Sequence, residues 1–311
     1  MTASIKMKKS FFALSLLIIA GIGALRYFSE RHAAKAWAEP APKAAAGLQC
    51  KDCNLIMISL SNVSAERMSL YGYSRLTTPK LGEWAKDAVV FENAFTQSSW
   101  TLPVGTTLFT SLYPYAHKVM NRFRENILDP KIRTLPEILR AQGYRTAAFT
   151  GGLDYSGKFG HMRGFETVDE AADMAHAISF AGFNGSLQKA SGWLGGNSGK
   201  KFFLFIHGYD AHCPFVPPDK FKGRFSTRGK GVTVDNTECL RGYEDPKTDG
   251  YEAYYYRNNK PEKVVLKKGD INYLSDLYDE EILSVDELVS RFLAGIDRKV
   301  RDKTIIVIFS D

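Results

Sequence analysis

The sequence predicts an α/β fold with a largely parallel sheet flanked by helices, and three observations predict it. Near-continuous apolar runs at Asn54–Leu60, Tyr144–Thr150, Lys201–Ile206 and Thr304–Phe309 have strand length without polar alternation. That is the pattern of strands buried on both faces. Segments with helical spacing lie between them, so strands and helices alternate along the chain. Residues able to do chemistry follow several of these strands, at the ends where such sheets bind ligands.

Composition agrees. The 311 residues are 44% hydrophobic and 24% charged, an ordinary globular balance that argues against disorder. The formal net charge is +7, part of it from Lys6, Lys8 and Lys9. Apart from a modest run near Tyr251–Lys268, no Arg/Lys block with interleaved aromatics occurs, so no nucleic-acid partner is expected. The mild basicity suits anionic substrates or an anionic membrane surface.

Residues 1–32 read as targeting. Three lysines precede an apolar run from Phe11 to Leu25, ended by Arg26, which fits a signal peptide or an uncleaved anchor in the inner membrane. Ala36-Trp37-Ala38 offers a cleavage site some distance away. On either reading the remainder is exported, periplasmic or extracellular. Residues 33–49 form an Ala/Pro-rich linker, and residues 50–311 form the α/β domain. Cys50, Cys53, Cys213 and Cys239 suit an oxidising compartment and structural disulfides; the three possible pairings stay open.

The first strand, Asn54–Leu60, precedes a helix from Pro79 to Ala88 and a short strand at Val89–Phe95. Arg133–Gln142 is an amphipathic helix with Thr134 as cap, Pro136 in its first turn and Gly143 as its stop. The strand Tyr144–Thr150 runs into a loop opening on Gly151-Gly152. A helix over Ala171–Ala190 precedes the strand Lys201–Ile206. Pro214–Gly269 reads as a long excursion with local helices, a common place for substrate contacts. Helical spacing over Asn272–Arg298 leads to the last strand.

Between the first two helices, Thr101 stands two residues before Pro103, where an apolar helical run begins. Proline is preorganised for a first helical turn, whose free N–H groups favour an anion. Thr101 is therefore either a helix cap or a nucleophile beside an anion site, and these residues alone favour the cap. The carboxyl-end rule gathers Ser61 and Asn62, His207 to His212, and Ser310-Asp311 at one rim, with Thr101 opening a helix there.

Eight blocks, in order, resemble the arylsulfatase-type sulfatases of the alkaline-phosphatase superfamily: NLIMISLSNVSAERMSLYGY, LTTPKLGEWAKDAVVFENAFTQSSWTLP, FTSLYPYAHKV, TLPEILRAQGYRTAAFTGG, FGHMRGFE, FFLFIHGYDAHCPFVPP, YDEEILSVDELVSRFL and TIIVIFSD. The resemblance implies that fold and puts Thr101 in the nucleophile's position. There the family has formylglycine made from Cys or Ser, and related phosphoryl-transferring members use Thr. It implies that His212 protonates the leaving group; His207 and Asp210, gathered by the carboxyl-end rule, are the expected substrate contacts. It also implies a divalent metal, Ca²⁺ by expectation, at Asp311, Ser61 and Asn62. Two positions depart from the family: its first-strand metal Asp is Ser61, and its usual Arg (His in some branches) is Gly105.

The family's crossover helix and small C-terminal sheet have no counterpart, so the sequence is read as the N-terminal portion of such a protein, with apolar surface uncovered on its last strand. The expected function is a sulfatase-like exported hydrolase of sulfate esters, impaired by those departures. The alternatives are an inactive relative binding an anionic glycan or a partner, and a Thr-nucleophile phosphoryl-type transferase.

Overall fold

The computed structural model describes residues 50, 52–122, 126–170, 182–229, 232–234, 239, 241–244, 251–257 and 260–311. The predicted targeting segment and linker, and residues 171–181 of a predicted helix, lie outside them. Asp52–Asp311 forms one compact unit.

Its centre is a five-stranded sheet. In chain order the strands are β1 (Asn54–Leu60), β2 (Arg145–Thr150), β3 (Thr167–Glu170), β4 (Phe202–Gly208) and, at the C-terminus, β8 (Thr304–Phe309). They lie in the order β3-β2-β4-β1-β8, and every pairing is parallel. All seven residues of β4 are buried, as an unbroken apolar run requires. Alternate side chains go to opposite faces. Ile56, Ile58, Leu204 and Ile206 face the layer formed by α5 (Phe183–Asn197) and α6 (Lys268–Gly295). Met57, Phe203 and Phe205 face α2 (Thr101–Thr110) through Phe109, whose ring meets Phe205 edge-on at 5.0 Å.

The long helix α6 contributes more than apolar surface. Several of its carboxylates, Asp279, Glu280 and Asp286 among them, are buried, and buried charge has to be paired. Asp286 accepts from the N–H groups of Lys80 (3.0 Å) and Leu81 (2.7 Å) at the start of α1 (Pro79–Ala85). Asp279 receives Arg75 at 2.8 Å and Tyr73 at 2.7 Å. Glu280 takes the backbone N–H groups of Phe225 and Ser226. Three carboxylates thus tie two segments, residues 73–81 and residues 225–226, to one helix.

The helix predicted over Arg133–Gln142 is α4 (Leu135–Ala141), with a Thr134–Glu137 capping box, after the short α3 (Pro114–His117). Two expectations fail. Val89–Phe95 is not a strand; Phe91 is 70% and Phe95 83% exposed. No neighbouring strand pairs with it, and strand propensity without a partner gives no strand. The excursion carries, in place of local helices, an antiparallel sheet of β5 (Arg241–Glu244), β6 (Tyr251–Arg257) and β7 (Lys260–Leu266). Its Tyr- and Val-rich runs favour strands over helices. The structure makes β8 an edge strand, and the expected uncovered apolar surface on it is Ile305 and Val307.

Gly164 fixes how the loop after β2 meets α4. Its φ is +95°, and an added Cβ would lie 2.2 Å from the Glu137 nitrogen and 2.6 Å from its Cα. Backbone atoms cannot swing aside as a side chain can. Gly164→Ala should therefore cost about 2 kcal/mol or more. Urea unfolding checks this, and a midpoint unchanged from wild type would contradict it.

Candidate active site

The parallel register ends three strands at one level: Ser59 stands opposite both His207 and Phe309. Beyond β1 the chain turns sharply, with Asn62 at φ 63°, a left-handed conformation that Asn tolerates better than most residues. Ser310 Oγ donates to Leu60 O at 2.9 Å and joins the β1 and β8 ends. At the same rim, α2 begins at Thr101 itself. Its N-cap is Trp100, and no side chain caps it, so the cap reading of Thr101 fails. Thr101 occupies the first helical position, where the unsatisfied N–H groups and the helix dipole favour negative charge.

These ends surround a cavity of about 350 Å³ whose walls include Asn62, Thr101, Arg122, Asp154, Tyr209, His212 and Asp311. Of the residues expected at the site, the structure brings together Thr101, His212, Asn62 and Asp311. Ser61 lies behind the wall, where its hydroxyl donates to Asn62 Oδ1 at 3.0 Å.

His207 and Asp210 do not line the cavity. His207 is fully buried beneath it, its ring 4.5 Å from that of Tyr155 and its Nε2 3.8 Å from Asp311 Oδ2. Burial, with a smaller push from His212, lowers its pKa to about 3, so it is neutral. Asp210 faces α5, accepting from Phe183 N at 2.7 Å. Burial raises the pKa of Asp210. Burial and then the Asp210 charge push Glu281 up to about 8. β4 ends at the rim, but His207 points to the Tyr155 face of the sheet and Asp210, just past the strand, to the opposite face against Phe183, as residues three apart on an extended segment do.

Arg122 and Asp154 were not legible. Arg122 Nε and Nη2 donate to Asp154 Oδ1 and Oδ2 at 2.6 and 2.9 Å, and its guanidinium lies 4.8 Å from the Trp100 ring centre. Asp154 follows β2, so the carboxyl-end rule carried to that strand would have found it. Arg122 sits in a loop with no motif and had no such signal.

His212 Nδ1 donates to Cys213 O at 2.6 Å, which places the second ring proton on Nε2 only when the imidazole is charged. Burial lowers its pKa, and the Cys213 carbonyl raises it part of the way back. Cys213 pairs with Cys239, and Cys50 and Cys53 are also disulfide-bonded. His212, Cys213 and Cys239 come together as a group of potential metal ligands, but both sulfurs are engaged in a disulfide and hold no ion.

The oxygen set around Asp311 fits a hard divalent cation in kind. Asp311 Oδ2 is buried without a hydrogen-bond partner, and the neighbouring donors are hydroxyl and amide oxygens, which such ions accept. In charge it is sparse, with one carboxylate where high affinity needs several, so a bound ion would be weakly held. Burial raises the Asp311 pKa, while the Ser61 hydroxyl, the Asn62 N–H and the Thr101 hydroxyl pull it back.

Position 105 is closed. An added Cβ on Gly105 would lie 2.6 Å from Tyr155 Cε1 and 2.9 Å from its Cζ. The wholly buried Tyr155 ring fills the space into which a side chain there would extend.

The Sulfatase family model matches residues 53–311. The chain belongs to the sulfatase family. It is 27% identical over 116 residues to an N-acetylgalactosamine-6-O-sulfatase of Bacteroides thetaiotaomicron, a match covering 33% of this chain and 23% of that one. In fold it resembles the phosphonate monoester hydrolase of Agrobacterium radiobacter, with a TM-score of 0.62, 17% identity, and coverage of 83% of this chain and 62% of that one. It also resembles the C-terminal periplasmic domain of EptC from Escherichia coli, solved in complex with Zn, with a TM-score of 0.58, 17% identity, and coverage of 87% and 67%. The chain thus spans about a quarter of the curated relative and about two thirds of each solved neighbour. Among its described residues, no helix is long and apolar enough to cross a membrane.

Proposed function

We propose that this sulfatase is an exported hydrolase of sulfate esters in which Thr101 attacks sulfur and His212 protonates the departing oxygen. The observation that carries the reading is Thr101 at the N-terminus of α2, facing a cavity that also holds Arg122 and His212. A sulfate group there would meet helix N–H dipoles on one side and a proton donor on the other. The hydroxyl passes its proton to the Asp311 carboxylate it hydrogen-bonds and forms a threonyl sulfate as the alcohol leaves with the proton of His212; water then releases sulfate and restores the Thr101 hydroxyl. Asp311, Ser61 and Asn62 are the residues that would hold a divalent cation, Ca²⁺ being the hard-ion choice. Such a cation would neutralise charge on the ester oxygens. Sulfated glycans are the proposed natural substrate class, since the curated relative is named for a sulfated amino sugar. Export is supported by the basic-apolar start, by the Cys213–Cys239 disulfide and by the periplasmic neighbour.

A second reading, anion binding without turnover, is favoured by the closure of position 105 and by the single carboxylate at Asp311. Turnover of aryl sulfate and aryl phosphate esters, with and without added Ca²⁺, separates the two. Because burial lowers the His212 pKa below its ordinary 6.5, the protonated donor is scarce at neutral pH. The rate should rise as pH falls through that lowered pKa, and His212→Gln should lose this dependence. A chain that binds aryl sulfate yet turns over neither ester would overturn the hydrolase and leave the binder.

A further inference from the structure

With position 105 closed by Tyr155, no side chain from that position reaches the cavity. A different cation does. We propose that Arg122 is the residue that binds the oxyanion of the substrate, a sulfate-type group, in a cradle built by Asp154 and Trp100. This rests on the reading of the cavity as a sulfate-ester site.

Among the described residues lining the cavity, Arg122 is the one Lys or Arg. Its guanidinium is held on two sides. The Asp154 side chain, 2% exposed, takes Nε and Nη2 as a bidentate pair, while the arginine side chain remains 43% exposed. The Trp100 ring supports its face at 4.8 Å. Trp100 immediately precedes Thr101, so the stacking partner of the cation and the nucleophile are consecutive residues. A planar guanidinium fixed in this way has little rotamer freedom left to lose on binding, and the Nη1–Nη2 edge that Asp154 does not take matches the oxygens of a sulfate or phosphate group. Asp154 does not repel the ligand strongly, because both its oxygens already accept from Arg122.

The test is calorimetric binding of phenyl sulfate to the full chain, run beside aryl sulfate turnover. Arg122→Lys keeps a charge opposite the buried Asp154 and removes the fork. The double variant Arg122→Gln/Asp154→Asn removes both charges, so neither is left buried and unpaired. Both should bind phenyl sulfate about tenfold more weakly or worse, with unchanged near-ultraviolet circular dichroism. Affinities within about twofold of wild type in both variants would overturn the assignment. Arg122-dependent binding without any turnover retains Arg122 and removes the hydrolase. Turnover that needs Thr101 while both Arg122 variants keep wild-type binding and rate does the reverse. No binding of phenyl sulfate to the wild-type chain at millimolar concentration removes both.

Discussion

Thr101→Ala should lower aryl sulfate turnover by on the order of 10³-fold or more, the scale seen when a nucleophile is deleted. Thr101→Ser should retain most of it. The contrast isolates the hydroxyl, because serine keeps the oxygen and alanine keeps only the β-carbon. Folding is not expected to obscure the result. Thr101 caps nothing, and its helix is held by Leu102, Val104 and Phe109, all buried. The stability change should stay within about 1 kcal/mol, which thermal unfolding of the three proteins checks. Equal rates for wild type and Thr101→Ala would remove Thr101 from the chemistry.

Gly105→Arg, which installs the residue the family usually has, should destabilise the chain by more than about 3 kcal/mol rather than raise its activity. The Tyr155 ring would lie 2.6 Å from the new Cβ. That ring cannot withdraw cheaply, since it packs on Phe205 at 4.9 Å and on His207 at 4.5 Å. The guanidinium would also enter a region where Ser59, Tyr155 and His207 are neutral and wholly buried. A second substitution, Tyr155→Ala, should recover part of the loss, giving a coupling energy on the order of 1–3 kcal/mol in a double-mutant cycle. Additive losses would mean that the ring does not occupy the seat. Glycine at 105 and tyrosine at 155 are therefore one structural feature, and the vacancy at 105 is not open space for a ligand.

The sheet was legible because burial on both faces leaves a local mark. A run such as Phe202–Ile206, with no polar residue, has nowhere to go in a folded chain but the interior, and β8 came out at Thr304–Phe309 with the bounds expected of it. The helices at Leu135–Ala141 and Lys268–Gly295 were legible from spacing and, for the first, from Thr134 as its cap and Pro136 in its first turn. Val89–Phe95 misled because strand formation depends on a partner edge, which local sequence does not report. The Tyr-rich excursion misled because its antiparallel sheet lacks clean periodicity.

At the site, sequence by itself determined what lies at strand ends and helix starts: Thr101, His212, Asn62 and Asp311. Those positions follow from where the elements stop, a local property. Only the tertiary structure decided the rest. It buried His207 against Tyr155 and turned Asp210 to α5, because residues three apart on an extended segment face opposite ways. It filled the seat at 105 from a loop fifty residues away. It also brought Arg122 onto Asp154 and Trp100 across segments with no shared motif. Pairing between distant charges is set by packing, and packing leaves no periodic trace in the chain.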